Sequence, residues 1–230
     1  MSEVNALLAS LSAGDTAALK PHLRPVDCES KAVLMEAGDL ISTVYFPTSC
    51  VISLVVGLAS GEMIEAAMVG RDGVVGAAPA LDGRRSLSRA IVQLPGKAFT
   101  CPVEALAAAA FQSKSLISTL VRHEQTLFAQ AQQSTACMAA HDVQARFARW
   151  LLRARDLAES NSLPFTQEFL AEMLGVRRTS ISPVAHTFQQ AGIIRYTRGR
   201  IEILDVEALK DSACECYEAI RTSYRDLLNS

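Results

Sequence analysis

Residues 165–203 read FTQEFLAEMLGVRRTSISPVAHTFQQAGIIRYTRGRIEI, and the organisation of the whole chain follows from this stretch. It carries no acidic residue between Glu172 and Glu202, yet holds Arg177, Arg178, Arg195, Arg198 and Arg200. The full chain of 230 residues has a formal charge of −2. A local excess of arginine on a slightly acidic protein is a patch, and a patch of that sign suits a polyanion.

Its local structure reads in three pieces. Thr166 can cap a short helix, with Glu168 in the first turn at the positive end of the dipole. Phe165 and Leu170 stand at the two staple positions around that cap. Leu170, Met173 and Leu174 give an apolar side, and Gly175-Val176 supplies a turn. A second helix follows, with Ile181, Val184, Ala185 and Phe188 on one face at helical spacing. The opposite face carries Arg178, Ser182 and His186 at four-residue steps, flanked by Thr179 and Gln189, and Gly192 stops it. Ile193 to Tyr196, a turn at Thr197-Arg198-Gly199-Arg200, and Ile201 to Leu204 read as a hairpin.

Helix, tight turn, helix and arginine-tipped hairpin make a winged helix-turn-helix. The polar face of such a second helix fits a DNA major groove, where Arg reads guanine and Ser or Thr meets bases or phosphates, while wing arginines hold the backbone. The candidate DNA-binding residues are Thr166, Gln167, Arg177, Arg178, Thr179, Ser180, Ser182, His186, Arg198 and Arg200. The competing reading is a solvated helix pair that binds nothing.

At these residues the chain resembles the Crp/Fnr family of bacterial transcription regulators. The resemblance rests on Thr166-Gln167, Leu170-Ala171, Leu174-Gly175-Val176, Arg178 and Gly192-Ile193-Ile194, continuing into the wing. In that family the second helix is the recognition helix, opening with Arg-Glu and carrying a later Arg. Here Arg178 matches the first arginine, Thr179 replaces the Glu, and Pro183 falls at the later Arg, so the DNA sequence read should differ. Pro183 also removes a backbone donor. Either the helix starts at a Thr179 or Ser180 cap or it is kinked, and the sequence leaves both open.

Half of the residues are hydrophobic and a fifth charged, which favours a packed protein over disorder. No signal peptide is evident, since Glu3 and Asp15 interrupt the N-terminal region. Leu40 to Gly61 is uncharged for a membrane-spanning length. Pro47, Gly57 and several Ser and Thr divide it into short β-rich runs, so buried sheet in a soluble cytoplasmic protein is the expectation. Residues 2–20 read as a short helical entry. From Pro25 to Pro102, runs such as Ala32–Met35, Val44–Phe46, Val51–Val56 and Ile64–Met68 alternate with turn signals, the pattern of a small antiparallel barrel or roll.

The resemblance implies an α+β fold with an N-terminal jelly-roll β-barrel like the cyclic-nucleotide-binding domain, acting as a sensor over residues 1–112. A dimerisation helix over 113–141 and a DNA-binding domain with a C-terminal helix over 142–230 would follow. Nucleotide-binding relatives carry a Gly-Glu whose acid meets the ribose and a later Arg-Ser whose Arg meets the cyclic phosphate. The nearest match is Gly76-Ala77, then Arg84-Arg85-Ser86 and Arg89, so Gly76, Arg85, Ser86 and Arg89 are candidate effector contacts. With Ala77 in place of the acid, a ribose hydroxyl would lack its charged acceptor. This argues against cyclic AMP. Cluster-binding relatives carry several closely spaced N-terminal cysteines, whereas Cys28 stands alone there, which argues against an iron–sulfur cluster. The effector stays unidentified.

Six cysteines, Cys28, Cys50, Cys101, Cys137, Cys214 and Cys216, show no disulfide framework and are expected as reduced, partly buried thiols. Cys214-Glu215-Cys216 supplies half of a zinc site at best. Haem ligation by His22 or His123 is a further reading, weighed against a lone hydrogen-bonded histidine.

From Ser115, Leu116, Leu120, Leu127, Ala131, Ser134 and Met138 fall near a coiled-coil seam, with His123 in the gap. The resemblance marks this as the dimer helix; a helix packed on its own barrel is the alternative. His141-Asp142 matches the hinge, Val143 to Ala158 reads as an amphipathic helix, and Val206–Leu228 as one more.

The reading is a homodimeric transcription factor for palindromic double-stranded DNA, with RNA polymerase as a further partner and no membrane. The alternative is a sensor or interaction module of the same fold without specific DNA binding. An enzyme is disfavoured: no nucleophile elbow, phosphate loop or metal-spaced cluster appears.

Overall fold

The computed structural model describes residues 4–83 and 85–229; Glu3 of the entry segment and Arg84 of the Arg-Arg-Ser run lie outside them. Two short helices open the chain, α1 (Ala6–Ala9) and α2 (Ala13–Leu19), followed by a 3-10 turn at Lys20–His22. Seven strands and one helix follow: β1 (Arg24–Cys28), β2 (Val33–Met35), β3 (Thr43–Pro47), β4 (Val51–Gly57), β5 (Met63–Val69), α3 (Ala77–Leu81), β6 (Arg89–Leu94) and β7 (Gly96–Pro102). They pair antiparallel as two sheets, β1-β7-β3 and β2-β6-β4-β5. This is the expected β-roll, and the uncharged Leu40–Gly61 span resolves into β3, β4 and their turns.

The sequence of β4 is apolar on both sides of its pleat for a reason visible in the packing. Ile52 belongs to a core filling the roll with Phe46, Val69, Val92, Leu116 and Leu120. Its neighbours Val51 and Val55 point the other way, into a second core with Met68, Leu94, Trp150, Leu151, Phe165, Leu170 and Ile201. A sheet covered on both faces cannot alternate apolar with polar, and Val51–Val56 does not.

The helical half comprises α4 (Val103–Gln112), α5 (Lys114–Ala140), α6 (Val143–Ala158), α7 (Gln167–Met173), α8 (Arg178–Gln190), α9 (Val206–Asp211) and α10 (Cys216–Leu228). A small sheet β8-β10-β9 accompanies it, from β8 (Ser162–Leu163), β9 (Ile194–Thr197) and β10 (Arg200–Ile203). The α5–α6 junction lies at the expected place. Ser113 caps α5, His141 ends it, and Asp142 caps α6 by accepting from the Ala145 N–H at 2.8 Å.

Two expectations are corrected. Leu116, Leu120, Leu127 and Ser134, read as a seam for a second copy, are buried within the chain, where α5 packs on β5, α3, α4 and α10. His123 shares that face; its Nε2 accepts the Val74 N–H at 3.1 Å, so it is a core acceptor with no ligating atom free on that side. The approach requires Gly73, where a Cβ would stand 2.5 Å from Nε2. The second correction is that Val206–Leu228 is two helices. Asp205 caps α9, the Ser212 hydroxyl donates back to Ala208 O at 2.8 Å, and the chain turns before α10. No Gly or Pro marks the break, and the helical period carries across it.

Polar ties join the two halves. Arg153 on α6 is buried and meets Asp72 of the roll at 2.8 Å, while its guanidinium lies 4.2 Å from the Tyr224 ring centroid on α10. The Trp150 indole N–H donates to Glu65 on β5 at 2.9 Å. Among the described residues, no helix is long and apolar enough to cross a membrane.

Removing one partner of a buried ion pair strands the other charge, so Arg153→Ala should cost about 3–5 kcal/mol. Asp72→Asn combined with Arg153→Met should cost clearly less than that. Urea unfolding of the single and paired variants checks this, and an equal loss in both would remove the pair's importance. Burial pushes the Glu65 carboxyl up to about 7, outweighing the Ser53 hydroxyl, Arg149, the Trp150 indole and Arg153. The folded state then holds this proton more tightly than the unfolded chain. Its contribution to stability is full below about pH 4.3 and is lost as pH rises toward 7. The urea midpoint of Glu65→Gln should lack that downward slope; parallel profiles for the two proteins would show that Glu65 is not its source.

Candidate nucleic-acid interface

The first helix of the motif, α7, is fixed at both ends by its sequence. Thr166 accepts from the Phe169 N–H at 3.1 Å, and Phe165 and Leu170 are buried together at the staple positions. At its C-terminus the Gly175 N–H donates to Glu172 O at 3.0 Å and the Val176 N–H to Ala171 O at 2.9 Å. This is a Schellman turn, and it needs the positive φ of 61° that Gly175 adopts.

The turn delivers the chain to α8, which starts at Arg178 with Arg177 in the cap position and contains Pro183 in its second turn. Of the two sequence alternatives, the later start at a Thr179 or Ser180 cap is therefore replaced by an early start with proline inside the helix. Ile181, Ala185 and Phe188 are buried, and the other face is left to solvent. Arg177, Arg178, Thr179 and His186 are exposed, with Ser180 and Ser182 half-buried. The Ser182 hydroxyl donates to Gln167 Oε1 at 2.7 Å, so these two candidates also fasten α8 to α7.

The wing is a two-residue hairpin in which Arg198 and Gly199 both have positive φ, 41° and 78°. Such turns match the twist of paired strands. Glycine adopts this conformation freely, whereas Arg198 is strained by it. The arginines are not equivalent. Arg195 pairs with Glu202 at 2.9 Å and Arg200 donates to the Ser162 hydroxyl at 3.0 Å. The side chains of Arg177, Arg178 and Arg198 make no hydrogen bond or ion pair with the described residues, and all three residues are exposed.

The four candidate effector residues do not share one site. Gly76 and Ser86 line a cavity of about 220 Å³ between the roll and α5. Arg85 is exposed and donates to Gly38 O at 2.7 Å, and Arg89 pairs with Glu36 at 3.2 Å; neither lines the cavity. Met35, Leu54, Val74, Leu127 and Phe128 make its wall mostly apolar, with Ser86, Ser88 and Glu124 its hydrophilic side chains. A cyclic phosphate there would meet no guanidinium among the lining residues. Charge in the sequence marked Arg85 and Arg89, while their local partners decided where they point.

Residues 145–212 match the family model of the Crp-like helix-turn-helix domain. The chain has no match among curated proteins. Among solved structures it is similar to a regulator of the Crp/Fnr family from Eubacterium rectale, at 17% identity and a TM-score of 0.68, over 89% of this chain and 96% of that one. FixK2 from Bradyrhizobium japonicum aligns at 14% identity and a TM-score of 0.71, over 84% and 98%. TTHB099, a transcriptional regulator from Thermus thermophilus, aligns at 21% identity and 0.69, over 83% and 96%.

Arg198→Gly should relieve the turn, raising stability by about 1 kcal/mol. The same change should weaken all DNA sequences alike and lower the salt slope by about one. Thermal unfolding and a salt titration of duplex binding report the two effects; an altered sequence preference would make the wing a reader of bases.

Proposed function

We propose that this chain, a DNA-binding transcriptional regulator of the Crp/Fnr family, works in the cytoplasm as a homodimer. Its two α8 helices would read half-sites of a palindrome about one helical turn apart. The observation that carries the reading is the set Arg177, Arg178 and Arg198, exposed and without acidic partners among the described residues, at the start of α8 and the tip of the wing. Arg178 and Thr179 are the base readers, Arg177 and Arg198 hold phosphates, and Thr166 and Gln167 approach the backbone from the start of α7. Ser180, Ser182, His186 and Arg200 complete the contact surface.

The outer side of α5 supports the dimer. Val121 and Phe128, 47% and 65% exposed, stand one heptad apart on the exposed side of α5, Phe128 also lining the roll cavity. Lys114, Gln125 and Gln132 share that exposed side. A second copy would therefore meet this surface, while the buried Leu116–Leu127 side holds α5 to its own chain.

The roll cavity is the proposed effector site. Its apolar wall favours a small, weakly polar ligand over a nucleotide, and its floor on α5 couples occupancy to the dimer helix. RNA polymerase is the protein partner this role implies.

Selection of random duplex DNA with the purified protein, followed by a salt titration on the winner, tests the proposal. An enriched palindrome with steep salt dependence is expected, and no DNA binding at low salt would overturn it. Arg178→Ala should lose preference at one base pair per half-site, costing about 1–3 kcal/mol.

A further inference from the structure

The break between α9 and α10 has a chemical consequence. It brings Cys214 and Cys216 against the end of α5, where Cys137 and His141 stand one helical turn apart. One ligand atom from each of the four, three Sγ and an imidazole nitrogen, falls within 4.8 Å of all the others. The Cys137 and Cys214 sulfurs are 3.5 Å apart, and Cys216 Sγ is 3.6 Å from His141 Nδ1. A tetrahedral zinc ion with bonds of about 2.3 Å to sulfur sets its sulfurs about 3.8 Å apart. The four groups thus stand close to that spacing, and small side-chain shifts complete it.

We propose that Cys137, His141, Cys214 and Cys216 form a structural Zn(II) site of the Cys3His type, clamping the C-terminal segment to the junction between α5 and α6. This goes beyond the DNA-binding reading and does not depend on it.

The surroundings complete what such a site needs. His141 Nε2 lies 3.2 Å from Glu215 Oε1, so a ring that ligates through Nδ1 donates its other N–H to a carboxylate. The Gln133 amide donates to Cys216 Sγ at 3.0 Å. Binding releases three thiol protons to solvent and leaves three thiolates and a neutral imidazole around a dication, a net charge of −1. Arg146 and Arg149 on α6 are positioned to offset it. Both are buried, the Nε of each lacks a hydrogen-bond partner, and burial pushes the Cys137 thiol up while Arg149 works against it. Burial, then the neighbouring Cys137 thiol, pushes Cys214 up to about 12. The three sulfurs are closed off from solvent, the property of a structural site with no open coordination position.

In the sequence the signal was Cys-x3-His at a helix end with a distant Cys-x-Cys. Reading Cys214 and Cys216 as an isolated pair missed it, because 77 residues separate Cys137 from Cys214.

The test uses the full chain purified under reducing conditions, with elemental analysis and Co(II) replacement. One zinc per chain is expected, and the cobalt form should show thiolate-to-metal charge transfer with the intense ligand-field bands of tetrahedral coordination. Cys214→Ser and Cys137→Ser should each lose the stoichiometric zinc, while Cys28→Ser, remote from the cluster, keeps it. The wild-type cobalt spectrum stands even if the cluster variants fail to fold. A protein without stoichiometric metal whose cobalt spectrum is octahedral would overturn the proposal, as would an iron–sulfur chromophore or zinc retained by both cluster variants. None of these readouts involves DNA.

Discussion

A guanidinium that has left water must have its charge answered inside the protein, and at Arg153 the answer comes from two directions. Asp72 from the roll supplies the counter-charge, Tyr224 from α10 offers its ring, and Arg153 itself belongs to α6. Arg153 Nε and Asp72 Oδ1 keep no hydrogen-bond partner, so the pair is not a fully satisfied network. Its contribution is better understood as specificity than as raw stability. Apolar side chains would pack the same space, but few other arrangements of roll and helices place opposite charges together in it. The relative position of the two halves is tied to that contact.

The same boundary carries Glu65, buried beneath the Trp150 indole. The Ser53 hydroxyl lies 2.6 Å from Glu65 and 2.5 Å from Gln93, yet has one proton to give. Two arrangements satisfy both contacts: a protonated Glu65 donates to Ser53, which donates to Gln93, or the Gln93 amide, turned over, donates to Ser53, which donates to an ionised Glu65. Carboxylates facing arginines normally ionise more easily, so the upward displacement of Glu65 shows desolvation winning over Arg149 and Arg153.

Local signals survived into the structure, and long-range ones did not. The cap at Thr166, the staple, the turn at Gly175, the hairpin at Arg198-Gly199 and the cap at Asp142 are all set within a few residues. Each was legible because its chemistry depends on neighbours in the chain. Which side of α5 faces inward was not, since a leucine stripe serves a partner helix or the protein's own sheet equally well. The grouping of Arg85 and Arg89 with Gly76 failed for a similar reason. Sequence proximity placed them together, and hydrogen bonds to Gly38 and Glu36 turned them elsewhere. Pro183 was ambiguous because its cost in an exposed second turn is small enough for the buried Ile181, Ala185 and Phe188 to override.

The last helix bears on how the DNA-binding half could move. The DNA-binding half is joined to the rest of the chain at His141-Asp142 and across the core it shares with the sheet, where Arg153 meets Asp72. The helix α10 adds a further attachment, since Tyr217 donates to Asp156 on α6 at 2.7 Å and Tyr224 donates to Gln130 on α5 at 2.8 Å. Any rotation of α8 relative to the roll would therefore have to break buried contacts at several points together, which makes such a motion all-or-none.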